Sequence, residues 1–147
     1  MIWPTSLRPV EFLPKPFRRL AAGFTQIEIV ADINKGQPAG APGRVALPVA
    51  ADRESDRKVG MTLVEATGFD AFDSGTLAES WRHQPGSPAY CTDLTRSELP
   101  AALARAERDR LAKRRELANA VFSERYEMGK EVPAADFVIR VHRALFM

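Results

Sequence analysis

The hydrophobic positions of this chain change period through its middle third, and each change predicts an element. From Arg44 to Ala50 the sequence RVALPVA alternates. Val45, Leu47 and Val49 share one side and small residues the other, so the spacing predicts a strand. Pro48 has no N–H for a ladder and belongs on an edge or at a bulge. The next stretch, DRESDRKVGMTLVEATG, switches to helical spacing. Val59, Leu63 and Ala66 recur at i, i+4 and i+7 and are expected to face a core, with Asp52 as N-cap and Gly68 just past the last turn. Phe69 to Asp73 predicts a second strand. Strand, helix and strand within about 30 residues make a βαβ unit, whose strands should run parallel through a right-handed crossover.

The flanks read differently. Pro4, Pro9, Pro14 and Pro16 make residues 1–16 extended and poorly ordered in expectation. A short helix is expected from Phe17 to Ala22, closed by Gly23, and TQIEIVA carries a short strand signal with a helical alternative. Lys35 to Gly43 is a loop on its glycine and proline content. Beyond the second strand, residues 74–94 are too rich in proline and glycine for one regular element. Thr95 and Glu98 then have capping-box spacing, Ser97 competes as N-cap, and Pro100 falls in the first turn. One long helix is expected to run to about Phe122. Leu99, Leu103 and Ala106 mark its apolar side early; Leu117, Ala120 and Val121 mark it late. Gly129 breaks the chain, and Pro133 opens a final helix striped by Phe137, Val141, Ala144 and Leu145. The fold class is therefore α/β: a small parallel βαβ unit of two to three strands followed by C-terminal helices, a partial Rossmann-type domain. Its divisions are a divergent segment at 1–35, the βαβ unit with its loop at 36–94, and a helical region at 95–147. So thin a sheet looks like part of something larger.

Composition adds mainly exclusions. At 147 residues the chain suits one domain with one core. Net charge is +2, from 21 Lys and Arg against 19 Asp and Glu, which points to no nucleic-acid partner. The basic excess of Arg105 to Glu116 is interleaved with acids at helical spacing, Glu107 with Arg110 and Asp109 with Lys113, as on a solvated helix face. No apolar run approaches the roughly 18 residues of a membrane span. The N-terminus lacks a compact apolar signal region, so a cytoplasmic protein without a membrane partner is expected. A single Cys91 forms no internal disulfide, in agreement with a reducing compartment.

Candidate chemistry gathers in the 74–94 loop, which holds Trp81, His83, Tyr90 and Cys91. Cys91 with His83 as base would be a nucleophile, yet a cysteine is more often a small buried hydrophobe. Cys91, His83 and His142 have no CxxC or HxxxH spacing, so no metal site is expected. Asp70 with Asp73, or Glu79 with Asp93, would serve as paired carboxylates, against the commoner reading of surface acids. Neither GxGxxG nor GxxxxGK[ST] occurs. Gly36, Gly40 and Gly43 precede a strand, whereas a phosphate cradle follows one. No catalytic residue is assigned on these grounds.

From about Pro38 to Leu94, through PAGAPGRVALPVAAD, GFDAFDSG and LAESWRHQPGSPAYCTDL, the sequence resembles the C-terminal part of the coenzyme F-420-dependent NADP oxidoreductases, particularly their bacterial NADPH-dependent deazaflavin reductase-like branch. Trp81, Arg82, Gln84, Pro85, Gly86, Pro88, Tyr90, Cys91, Thr92 and Asp93 carry over as the signature loop. Ala51 stands where glycine is usual, and His83 where glutamine is usual. The resemblance implies NADP and coenzyme F-420 as cofactors and hydride transfer between them, with Trp81, Arg82, Gln84 and Tyr90 either as cofactor-binding candidates or as part of a loop that seals the helices onto the sheet. Such a transfer needs positioned rings and excluded water, and no acid–base residue in principle. The family's Rossmann half, with its glycine fingerprint, has no counterpart here. The resemblance thus implies a truncated or split member that is inactive without a Rossmann-domain partner. The alternative is a non-catalytic interaction or relic domain forming a homodimer across its thin sheet, where Val45, Leu47 and Val49 would otherwise be exposed.

Overall fold

The computed structural model describes residues 35–127 and 133–147. Their order is β1 (Ala46–Val49), α1 (Glu54–Ala66), β2 (Asp70–Asp73), a 3-10 helix (Leu77–His83), α2 (Leu99–Ala104), a 3-10 turn (Arg108–Arg110), α3 (Leu111–Arg125) and α4 (Ala135–Phe146). The expectations for residues 1–34 and for Gly129 lie outside the described residues. The architecture is α/β as the hydrophobic pattern indicates: a two-stranded parallel sheet followed by C-terminal helices, with Ala46 opposite Asp70 and Val49 opposite Asp73. Among the described residues no helix is long and apolar enough to cross a membrane.

Alternation along β1 sorts its side chains into two cores. Val45, Leu47 and Val49 pack with Val64, Phe69 and Ala71 under α1, while Ala46 joins Leu94, Leu99, Ala102 and Leu103 on the opposite face. The expected exposure of Val45, Leu47 and Val49 is therefore corrected, because α1 covers them to 7%, 7% and 1%. Tyr90 and the aromatic residues of α3 and α4 form a third cluster around Ala118, Phe122 and Phe146.

Hydrogen bonding also settles the sheet edges. Asp70 and Ser74 N–H donate to the carbonyls of Val45 and Val49, so these positions of β1 face β2, and positions 46 and 48 face outward. Ala46 N–H donates to Leu94 O at 2.8 Å, and Pro48 has no N–H. Proline thus occupies an edge, as expected. On β2 the outward N–H of Ala71 donates to Glu65 Oε1 at 2.9 Å. That bond holds the Glu65 carboxyl below its ordinary range, with help from Arg44 against the cost of burial. Arg44, 4% exposed, also pairs with Asp70 at 2.7 Å and donates to Gly68 O, stapling the end of α1 to the sheet.

Gly68 ends α1 as predicted. Its φ of +90° allows Gly68 N–H to reach Glu65 O and Phe69 N–H to reach Val64 O, a Schellman pair sealed by the Phe69–Val64 contact. The start differs. Asp52 does not cap the helix; Arg53 is the N-cap residue and makes no side-chain cap bond, while Asp52 Oδ1 accepts the N–H of Leu77. The buried line is also displaced from Val59, Leu63 and Ala66 to Gly60 and Val64, because the small Gly60 side faces inward. Ala66 is exposed.

The long helix expected after Thr95 is two helices. Glu98 Oε2 accepts the Thr95 N–H at 2.8 Å in the predicted capping-box sense, and Pro100 sits in the first turn of α2. The helix ends at Arg105, and Glu107 is extended, with φ −119° and ψ 107°. Phase explains the break. Leu99, Leu103 and Ala106 point one way, whereas Leu111, Ala118 and Phe122 lie about a third of a turn around at 100° per residue. One straight helix could not bury both sets. Leu117, Ala120 and Val121 keep the first phase and are exposed, which corrects the expected late stripe. In α4 the buried line is Ile139, His142 and Phe146, flanked by partly buried Phe137, Val141 and Leu145; Ala144 is exposed.

Candidate functional site

The carboxyl ends of β1 and β2 lie together, as parallel pairing requires, and a cleft of about 430 Å³ opens beside the end of β2. Phe72, Pro100 and Leu103 give it an apolar wall; Asp73, Ser74, Glu79 and Arg82 give it polar edges. Each polar group is tied down. Asp73 pairs with Arg57 at 3.0 Å and accepts the N–H of Gly75. Arg82 Nε pairs with Glu79 at 2.7 Å, and Arg82 Nη1 donates to Leu103 O at 3.4 Å. A second cleft of about 430 Å³ at the opposite end of the strands is lined by Arg44, Asp70, Thr95, Arg96 and Ser97. There Arg44 is already spent on structural bonds.

The four cofactor-binding candidates separate. Arg82 lines the first cleft and Trp81 stays beside Arg82: the Arg82 guanidinium lies 4.4 Å from the Trp81 ring centroid, and that of Arg108 lies 4.8 Å from it. Tyr90 turns the other way, into the helical cluster, where its ring is 5.5 Å from that of His142. Gln84 works through its backbone, donating to Trp81 O and accepting from Ser87 N–H.

The rest of the signature stretch is a connector. Ser87 Oγ donates to Arg82 O and accepts Ala89 N–H, and Thr92 Oγ1 donates to Pro88 O at 2.8 Å. Arg143 of α4 donates to the carbonyls of Thr92 and Asp93, while Lys35 pairs with the Asp93 carboxylate at 2.7 Å. Gly86, at φ +98°, lets the Leu111 backbone approach so closely that a Cβ would lie 2.2 Å from Leu111 O. Ser87 and Arg143 carried no signal in the sequence, since serine and arginine are common surface residues, whereas Thr92 stands in the signature loop. The proline–glycine spacing of the loop was the readable hint.

His83 is 1% exposed, with Nε2 3.4 Å from Oγ of the cleft residue Ser74 and Nδ1 without a hydrogen-bond partner among the described residues. Burial lowers its pKa to about 4, so the ring is neutral. Neutral imidazole suits a base, but nothing orients Nδ1 and Ser74 N–H is spent on Val49 O, so the pair lacks the remaining parts of a nucleophilic site. Cys91 is half-buried at φ +47°, and its backbone meets His142. Burial also lowers the His142 pKa, partly offset by hydrogen bonds to Cys91 and Tyr90 backbone. Among the described residues no three His, Cys, Asp or Glu side chains come together as a metal site would require.

Comparison with known proteins yields one relative of direct interest. The chain is 47% identical over 70 residues to the protein YjhV of Escherichia coli (strain K12), a match that covers 48% of this chain and 50% of the relative. The chain thus spans about half the length of that curated relative. No protein-family model matches the chain, and no solved structure does.

Proposed function

We propose that the chain is the C-terminal portion of an NADPH/deazaflavin oxidoreductase-like protein, active in hydride transfer only beside a Rossmann half. The observation that supports this reading is the cleft at the carboxyl end of the parallel pair, the end at which open α/β sheets take ligands. Its apolar wall of Phe72, Pro100 and Leu103, edged by the Arg82 guanidinium, suits a flat ring with polar substituents. The deazaflavin ring fits there; its chemistry is to accept or release hydride. This chain's residues would bind and orient it: Arg82 as a donor edge, Trp81 as the platform behind Arg82, and buried His83 as a seal against water.

A dinucleotide does not fit. The turn from β1 to α1 reads Ala50, Ala51, Asp52, Arg53, without glycine, and the first turn of α1 carries Glu54 and Asp56. Carboxylates at a helix N-terminus oppose a pyrophosphate. NADP would have to be held by the partner half.

Titration of Trp fluorescence with oxidised deazaflavin and with NADPH tests the reading, first on the chain alone and then with a candidate Rossmann-domain protein. Deazaflavin binding by the chain and NADPH oxidation only in the mixture are expected, with Arg82→Ala weakening deazaflavin about tenfold. Neither binding nor transfer in both settings would overturn it.

A further inference from the structure

Helix α3 is apolar on two sides, and only one is covered. Leu111, Ala118 and Phe122 are buried, whereas Leu117 and Val121 are 46% and 39% exposed. At about 100° per residue, Lys113, Leu117, Val121 and Glu124 fall along one line of the exposed side, with Ala120 at its border. That line reads basic, apolar, acidic. Neither Lys113 nor Glu124 has an ion-pair partner among the described residues, although both flank the bare leucine and valine. Nearby, Glu107 takes both Arg110 and Arg114 at 3.2 Å, so those charges are used internally. Arg115 and Glu116, without an ion-pair partner among the described residues, lie off this line.

A line of this kind is complementary to itself when reversed. We propose that α3 is the surface by which a second copy of this chain binds, antiparallel and two-fold symmetric about a point midway between Leu117 and Val121. Leu117 of each copy then meets Val121 of the other, and Lys113 of each faces Glu124 of the other. The sheet offers no such surface, since Val45, Leu47 and Val49 are under α1. A helix of 15 residues is about 22 Å long, so the contact belongs to the small, transient class, under about 1,200 Å². The inference is independent of any cofactor.

Sedimentation equilibrium of the intact chain from about 5 to 500 μM tests it. A monomer–dimer equilibrium is expected. Leu117→Asp should weaken it at least about thirtyfold, by placing a charge in the apolar centre. Lys113→Glu and Glu124→Lys should each weaken it about fivefold by setting like charges together, and the double variant should restore it because the pair is exchanged and regained. Far-UV circular dichroism checks folding, and the charge variants carry the test if Leu117→Asp is misfolded. A chain monomeric at the highest concentration would overturn the proposal and point to a different protein on this face. A dimer indifferent to Leu117→Asp, or a double variant as weak as the singles, would overturn it too.

Discussion

Two apolar stripes in this molecule lie at opposite extremes of burial. Val45, Leu47 and Val49 on β1 are sealed under α1, while Leu117 and Val121 on α3 stand open to solvent. Their residue types are nearly the same. The difference comes from what each element is obliged to cover. A parallel strand joined by a crossover helix is normally covered on both faces, and β1 is, with α1 on one side and α2 with the signature stretch on the other. A helix needs only one buried face, and α3 spends that face on α4. Apolar residues left over on a helix are therefore free to serve a partner, whereas those on this strand are not.

Substitutions should separate the stripes cleanly. The largest effect is expected from Val49→Asp, an unpaired charge in the inner stripe, at about 4 kcal/mol or more by urea unfolding. A cost near zero would mean that α1 does not cover the strand as described. Gly86→Ala attacks the joint between the two regions, where a methyl would strike the Leu111 carbonyl. It should cost about 3 kcal/mol, and a neutral result would show that α3 can slide away.

His83 gives an effect of about 3 kcal/mol that depends on pH. Its pKa falls from 6.5 unfolded to about 4 folded, so its contribution is complete above pH 6.5 and is lost as pH drops toward 4. His83→Gln should flatten that part of the stability curve, and an unchanged acid limb would sink the assignment. Glu98→Ala removes the acceptor for Thr95 N–H and should cost about 1 kcal/mol by thermal melting, with α2 the first element to fray. Leu117→Ser, on the outer stripe, should shift stability by no more than about 0.5 kcal/mol in dilute solution. A loss comparable to that of Val49→Asp would erase the distinction between the stripes.

Much of the first region was legible because its signals are local. Alternation placed β1, a glycine at φ +90° ended α1, and the Thr95–Glu98 spacing located the turn before α2. The helical region was less legible for a reason that also is physical. Leu117 and Val121 continue the periodicity of Leu99 and Leu103, so the pattern alone asks for one helix. The break is revealed only by Leu111 and Phe122, which are out of phase and find their partners on α4. The candidate site shows the same limit. The family resemblance singled out Trp81, Arg82, Gln84 and Tyr90 as a group, but a 3-10 helix followed by turns sends Tyr90 toward His142 and leaves Arg82 at the cleft with Trp81 against its guanidinium. Asp73, Ser74 and Pro100 reach that cleft from other segments, and nothing in their sequence neighbourhood announces it.

The edge bonding of the sheet has one more consequence. Outward donors at Ala46 and Ala71 are occupied by the Leu94 carbonyl and the Glu65 carboxylate, and position 48 has none. A further strand would meet its first donor already used on either side, and on β1 it would also meet the chain itself, since Thr95 bridges Val45 antiparallel. Covering an edge in this way is how native sheets blunt edge-to-edge association.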